Sequence, residues 1–321
     1  MEPSSDHKRE THEMIESATV ARMYYVDGRT KSEIAKALLL SRFRVARILE
    51  RALEKGLVEV RFNYPSRQID IALSSRLQQH LALQHCAVVS APDANREALL
   101  AELGKAASTV LTEMTTAQDV LGFAWARAME AMVPELHDLP AQAVVQLAGA
   151  YPGAGHAPTS IDLVRDIGRA TGIPVYAYYA PLLATDIAAA NAIKRQTDFL
   201  AAQEMVKHVT IGVIGIGAWS AGASSIYDTI NTATAAEIAA QGVVAEASGT
   251  TIDERGNEIS TDASKRCIGV TSAELIAIPT VVAVVFGVQK AKAIRAAVRG
   301  GYINGIVTHA SLAEELLALP A

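Results

Sequence analysis

Two groups of residues in this sequence have types and spacings suited to chemistry. The first is Phe43, Arg44, Arg47 and Arg51, set in the run Ser41-Arg42-Phe43-Arg44-Val45-Ala46-Arg47-Ile48-Leu49-Glu50-Arg51. At roughly 100° per residue, a helix would gather Val45, Ile48, Leu49 and Ala52 on one face and these four on the other. Arginine can bond guanine in bidentate fashion, and an exposed phenylalanine can contact a thymine methyl. Ser41 and Arg42 would open that helix and suit backbone phosphates, as does Lys31 just upstream. The competing reading is a solvated helix whose arginines pair with Glu50 and Glu54.

The second group is a set of apolar runs that end in glycine. Asp119-Val120-Leu121 leads into Gly122-Phe123-Ala124-Trp125, and Val144 to Leu147 leads into Ala148-Gly149. Ile211 to Ile214 leads into Gly215-Ile216-Gly217, and Val281 to Phe286 into Gly287. In a parallel sheet, ligands bind beyond the carboxyl ends of the strands, where glycine admits the backbone and helix N-termini present free N–H groups. Four such ends on one rim point to a polar ligand. Lys290 follows Gly287 in what reads as the first turn of a helix, where a cation opposes the macrodipole unless an anion lies nearby. It is either a solvated lysine or the charge partner of a phosphate or sugar oxygen. Glu246 and Asp253, in an irregular segment over 242–260, either accept from ligand hydroxyls or are solvated loop acids.

Other reactive residue types lack a catalytic setting. His156 and His309 have no acid or nucleophile at a defined spacing, and Ser224-Ser225 lacks the flanking glycines of a nucleophile elbow. Cys86 and Cys267 are far apart, with no neighbouring metal-ligand spacing, so no disulfide framework, metal site or cofactor is expected and a reducing cytoplasm fits best.

The elements that must position these residues follow from periodicity. Residues 1–13 read as a disordered tail. Ile15 to Val26 supports a helix that Asp27-Gly28 ends. Thr30 and Glu33 have the spacing of a capping box opening a second short helix, and Ser41 caps the third. Leu57 to Phe62 alternates as a strand, so residues 14–64 predict a winged helix-turn-helix. Residues 65–83 predict a connecting helix carrying Ile69, Leu73, Leu77 and Leu81 at four-residue intervals, either core or a dimer seam. From 84 to 321 the chain alternates strands and helices, with strands near 85–90, 119–123, 142–148, 173–179, 209–215, 280–286 and 303–308. That rhythm predicts an α/β, Rossmann-like domain built on a mostly parallel sheet. The segment 242–260 would be an inserted hairpin or long loop.

The charge distribution agrees with this division. The formal total is -5 over 321 residues, half of them apolar. Residues 1–21 carry -3, residues 22–61 carry +5, and the remaining 260 carry -7. A short basic segment on a large acidic body is expected if only that segment approaches phosphates. The N-terminus lacks the apolar core of a signal peptide, and the longest charge-free stretch, Val209 to Tyr227, holds four glycines, so no membrane span is expected.

Taken together, the runs Tyr24 to Ala35, Ser41 to Leu49 and Gly56 to Val60 closely resemble the SorC family of sugar-binding transcriptional regulators. So do Gly122 to Trp125, Val144 to Gly149, Gly242 to Glu246, Asp253 to Gly256, Gly287 to Ile294 and Arg299 to Thr308. The resemblance spans about residues 17–319. It implies a second domain folded like sugar-phosphate isomerases and used for sensing without catalysis, a dimer or tetramer, double-stranded operator DNA, and a sugar phosphate or polyol-type effector. By position it implies Gly122, Phe123, Ala124 and Trp125 as a phosphate-side loop, Gln146 and Gly149 as a second wall, and Glu246, Asp253 and Lys290 as polar contacts. The sequence departs from the family pattern at Ala126, Ala128, Phe286 and His309, and Arg127 offers a compensating anion contact. The alternative is an isomerase-type enzyme carrying a DNA-binding domain.

Overall fold

Side-chain caps set the helices of the first unit. We describe a computed structural model of the chain over residues 5–54, 56–58, 69–90, 95–137, 139–151 and 159–320. It divides into two compact units, Met1–Tyr64 and Pro65–Ala321. The first holds α1 (Ser5–Tyr25), α2 (Lys31–Ala37) and α3 (Arg42–Glu54). Thr30 and Glu33 form the expected capping box, the Thr30 N–H donating to Glu33 Oε2 at 2.8 Å. Ser41 Oγ accepts from the Arg44 N–H at 3.1 Å and so satisfies one of the orphan donors that open α3. Val20 and Ala21 of α1, Ile34 and Ala35 of α2, and Val45, Ile48, Leu49 and Ala52 of α3 bury one another.

One expectation changes here. Residues 5–13, read as a disordered tail, are the first turns of α1. Lysine, arginine and glutamate are good helix formers. The strand over Leu57 to Phe62 falls mostly on residues outside those described. Of its described part, Val58 donates back to Ala52 O at 3.1 Å without forming a strand.

The second unit runs α4 (Ile71–His80), β1 (His85–Val89), α5 (Arg96–Met114), β2 (Val120–Phe123), α6 (Arg127–Glu130), β3 (Ala143–Gln146), α7 (Ser160–Thr171) and β4 (Val175–Tyr176). It continues with α8 (Ile187–Ile193), α9 (Thr197–Val206), β5 (Ile211–Ile214), β6 (Ile216–Ala218), α10 (Ser225–Thr229), α11 (Thr232–Ala240), β7 (Val243–Ala247) and β8 (Thr250–Asp253). It ends with α12 (Asp262–Arg266), α13 (Ser272–Ala277), β9 (Thr280–Val284), α14 (Ala291–Arg299), β10 (Gly305–His309) and α15 (Ala310–Ala318). Seven strands form one sheet in the order β1-β10-β9-β5-β2-β3-β4, every neighbouring pair parallel. All seven expected strands are present, the fourth shortened to Val175–Tyr176.

Successive side chains of a strand point to opposite faces, and here they feed two separate cores. Val120, Val145, Ala283 and Ile306 join one. Leu121, Val144, Val282 and Val307 join the other. Burial on both faces is why these strands read as continuous apolar runs. Leu73 and Leu77 of α4 and Leu81, which caps it, lie in the first of these cores, so that stripe packs within the chain. The segment expected as an insertion is a hairpin: β6, β7 and β8 form a small antiparallel sheet. Its turn, Ser248-Gly249, takes φ of +48° and +100°, the left-handed backbone a two-residue hairpin needs. Among the described residues no helix is long and apolar enough to cross a membrane.

Candidate functional site

Gly215 carries β5 of the large sheet directly into β6 of the small one, so the carboxyl ends of β2, β3, β5 and β9 face the β7–β8 hairpin across a cleft. That cleft encloses about 1000 Å³ of empty space, its open mouth included. Of the twelve residues expected at a ligand site, Ala124, Trp125, Arg127, Gly149, Gly215, Gly217, Glu246 and Lys290 line it.

The other four have structural work and do not line it. Gly122 and Phe123 are buried in β2. A Cβ on Gly122 would meet Leu147 at 2.8 Å, so this glycine serves packing between strands. Gln146 is buried, with Nε2 donating to Ala148 O at 2.9 Å and Oε1 accepting from the Tyr178 N–H at 3.1 Å, which ties β3 to the chain beyond β4. Asp253 sits at the far end of β8. Its carboxylate accepts from the backbone N–H groups of Arg255 and Asn257 at 2.8 Å each and closes a turn there. That turn accounts for the irregular sequence around it.

Glu246 is the acid that remains. It lies on β7 opposite Gly217 of β6, and a Cβ on Gly217 would stand 2.5 Å from its Oε1. Glycine there leaves the room the carboxylate occupies. Ser224 Oγ lies 3.4 Å from Oε1, and the Gly249 N–H and the Lys290 ammonium also face it. Burial nevertheless outweighs these partners and holds the Glu246 carboxyl above the usual carboxylate range.

Lys290 closes a single 3-10 turn, Val288–Lys290, and is the residue before α14, so it does not sit inside the first turn of that helix. Its Nζ donates to Ile216 O at 2.7 Å and stands 5.8 Å from the Phe286 ring centroid. Burial, with Arg127 and Arg96 adding repulsion against the pull of Glu246, brings its pKa down to about 8. Phe286 also lies beneath the Arg96 guanidinium at 5.1 Å. Arg96, Arg127 and Lys290 thus bring three cations to one cleft.

The opposite chemistry comes from Trp125, stacked on Tyr151 with centroids 5.4 Å apart and planes at 27°. Its Nε1 donates to Glu130 Oε1 at 3.0 Å, which orients the indole. His309 is buried, and its Nε2 accepts from the Gly287 N–H at 3.0 Å, fixing the end of β9, while His156 falls outside the described residues.

Sequence reasoning missed several lining residues: Arg96, Tyr151, Ser224, Ser225, Asp228 and Ser248. Arg96 follows the capping Asn95 at the start of α5. A search for helix starts after strands would have found it, but β1 does not end in glycine and so escaped the glycine rule. The three residues from 224 to 228 follow β6, a strand that was not foreseen.

On the first unit, Phe43, Arg44, Arg47 and Arg51 are exposed, with Phe43 85% accessible, and Lys31, Ser41 and Arg42 lie at the starts of α2 and α3. Arg44 differs from the expectation in one respect: its Nη2 is paired with Glu16 of α1 at 3.3 Å. Glu50, expected as a partner under the solvated reading, forms no ion pair among the described residues.

Comparison with known proteins bears on both units. The family model of the sugar-binding domain, Sugar-bind, matches residues 68–318. The transcriptional regulator LsrR of Klebsiella pneumoniae subsp. pneumoniae is 28% identical over 306 residues, covering 94% of this chain and 92% of its own. The sorbitol operon regulator of Klebsiella pneumoniae is 23% identical over 309 residues, 93% of this chain and 96% of its own. The crystal structure of full-length SorC from Klebsiella pneumoniae superposes with a TM-score of 0.70 at 21% identity, covering 95% of this chain and 99% of that one. A sugar-binding domain matched over most of the second unit, continuous with a helical N-terminal unit, places the chain: it belongs to the SorC family of sugar-binding transcriptional regulators.

Proposed function

We propose that this protein is a cytoplasmic, homo-oligomeric, DNA-binding regulator of carbohydrate metabolism whose operator affinity is set by a sugar phosphate held in the cleft of the second unit. One observation carries the ligand class. Arg96, Arg127 and Lys290 line a cleft whose only buried acid among the described lining residues is Glu246, and the Trp125–Tyr151 pair lies within the same walls. Three cations suit a phosphate dianion, with guanidinium offering paired N–H donors. A buried carboxylate beside a serine suits sugar hydroxyls, which can donate to the one and bond the other. An indole face suits the C–H side of a sugar. The effector acts by binding the operator-competent and operator-incompetent states unequally, since only differential affinity shifts an equilibrium.

A thermal-shift screen of phosphorylated and unphosphorylated sugars and polyols tests this reading. Stabilisation by a sugar phosphate, with none from its unphosphorylated parent, is the expected result. A second reading is favoured by one observation: Glu246 is held up and Lys290 held down, a pair of titratable groups pushed apart as in an acid–base catalyst. Incubating the protein with pentose and hexose phosphates and following isomer formation separates the two, because a sensor returns the ligand unchanged.

A further inference from the structure

Arg44 is fixed at both ends. Its backbone N–H donates to Ser41 Oγ at 3.1 Å, in the cap of α3, and its side chain is held from another helix. Both bonds to Glu16 start from one atom, Nη2, which lies 3.3 Å from Oε1 and from Oε2. Guanidinium has five N–H donors in a rigid plane. The two carboxylate oxygens subtend a narrow angle at Nη2, so one of its hydrogens serves both, and the other stays beside a neighbouring N–H as a two-donor edge. Arg44 is also the third residue of α3, and the N-terminal residues of a recognition helix are the ones that contact base edges.

The helical positions explain the division of labour. At roughly 100° per residue, Arg44 lies about a right angle away from the buried Val45 and Ala52, on a flank, whereas Arg47 and Phe43 lie nearly opposite the core. α1 packs against α3, which brings the Glu16 carboxylate to that flank. Arg47 makes no ion pair among the described residues. The pair is unsuited to a stabilising role, because the Arg44 side chain is 61% exposed and exposed ion pairs contribute little. A carboxylate beside a DNA-facing surface also repels phosphate. Its usefulness there is geometric: it removes rotamer freedom from an arginine before the base is met.

We propose that Glu16 is a positioning residue for operator recognition, holding the Arg44 guanidinium so that its free edge reads a guanine. This rests on the reading that the first unit binds operator DNA. Loss of the acid should weaken discrimination while strengthening sequence-independent attraction.

The test uses the full chain and a duplex selected by the wild-type protein from a random library, with a scrambled duplex of the same composition as reference. Affinities for both are measured by fluorescence anisotropy at one fixed salt concentration for wild type, Glu16→Gln, Arg44→Ala and the double variant. The ratio of the two affinities is taken on one protein sample, so a change in folded fraction cancels. For Glu16→Gln the scrambled duplex should bind as tightly as to wild type or up to a few-fold tighter, while the selected-to-scrambled ratio falls about tenfold. Repeating the selection should relax a guanine at the same position for Glu16→Gln and for Arg44→Ala, and the double variant should lose no more than Arg44→Ala alone. An unchanged ratio for Glu16→Gln, or relaxation at a different position from that of Arg44→Ala, overturns the proposal. If the wild-type protein enriches no sequence at all, the DNA-binding reading itself falls, and the proposal with it.

Discussion

Replacing Lys290 by methionine should stabilise the empty protein while weakening its hold on the effector. The ordinary lysine pKa of 10.5 is brought down to about 8 in the fold. Above 10.5 the group is neutral in both folded and unfolded chains and costs nothing. As the pH falls, the unfolded chain takes up this proton through about 10.5 and the folded chain only through about 8, so a penalty develops between those values and is complete below 8. At neutral pH it amounts to roughly 3 kcal/mol, at about 1.4 kcal/mol per pKa unit. Lys290→Met removes it, but also removes the bond to Ile216 O and the contact with Phe286, about 1 kcal/mol each. The net gain of about 1 kcal/mol corresponds to a rise of roughly 2–4 °C in Tm for a unit of this size. The same change removes a charge-assisted contact to the effector phosphate, worth roughly 1.5–3 kcal/mol, or about ten- to a hundredfold in Kd. Calorimetric titration with the sugar phosphate and a thermal melt of the empty protein measure the two effects. A lowered Tm together with unchanged effector affinity would refute the reasoning, because it would make Lys290 a structural group and not an anion partner.

Three further outcomes follow from the same geometry. Effector affinity should fall as pH rises above about 8, where the free cleft loses the Lys290 proton although the phosphate is already a dianion. Titrations in buffers of different ionisation enthalpy near pH 8 should therefore show proton uptake on binding. Gly217→Ala would set a Cβ 2.5 Å from Glu246 Oε1 and displace the carboxylate, so effector Kd should rise about tenfold with a smaller effect on Tm. Arg47→Ala should cost about 1–3 kcal/mol of operator affinity with the fold intact, since its side chain lies away from the α3 core, and gel-shift titration beside a thermal melt checks both.

The alternation of apolar runs with helical segments was enough to place all seven strands of the parallel sheet, because strands buried on both faces leave an unbroken apolar signal. The caps at Thr30, Glu33 and Ser41 were equally legible, since their hydrogen bonds join residues three apart. What sequence could not supply were distances between elements. Gly149 illustrates this: it does reach the cleft, yet a Cβ there would strike Pro181 O at 2.3 Å, so close backbone approach fixes its identity as much as any ligand does. Glu246 and Asp253 looked alike as acids of one irregular segment, and only the hairpin register separates a buried cleft acid from a turn-closing one. Arg96 and Glu16 were missed because the groups they meet, Phe286 and Arg44, are far along the chain.

A sugar phosphate in the cleft should change operator binding, and one titration addresses this directly. Operator affinity of the full chain is measured by anisotropy with increasing amounts of the sugar phosphate identified by thermal shift, in parallel for wild type and Lys290→Met. Operator affinity should change saturably for wild type, with a midpoint shifted about ten- to a hundredfold to higher ligand concentration in the variant. An operator affinity that stays constant through saturation of the cleft, or a response identical in the two proteins, would contradict this coupling.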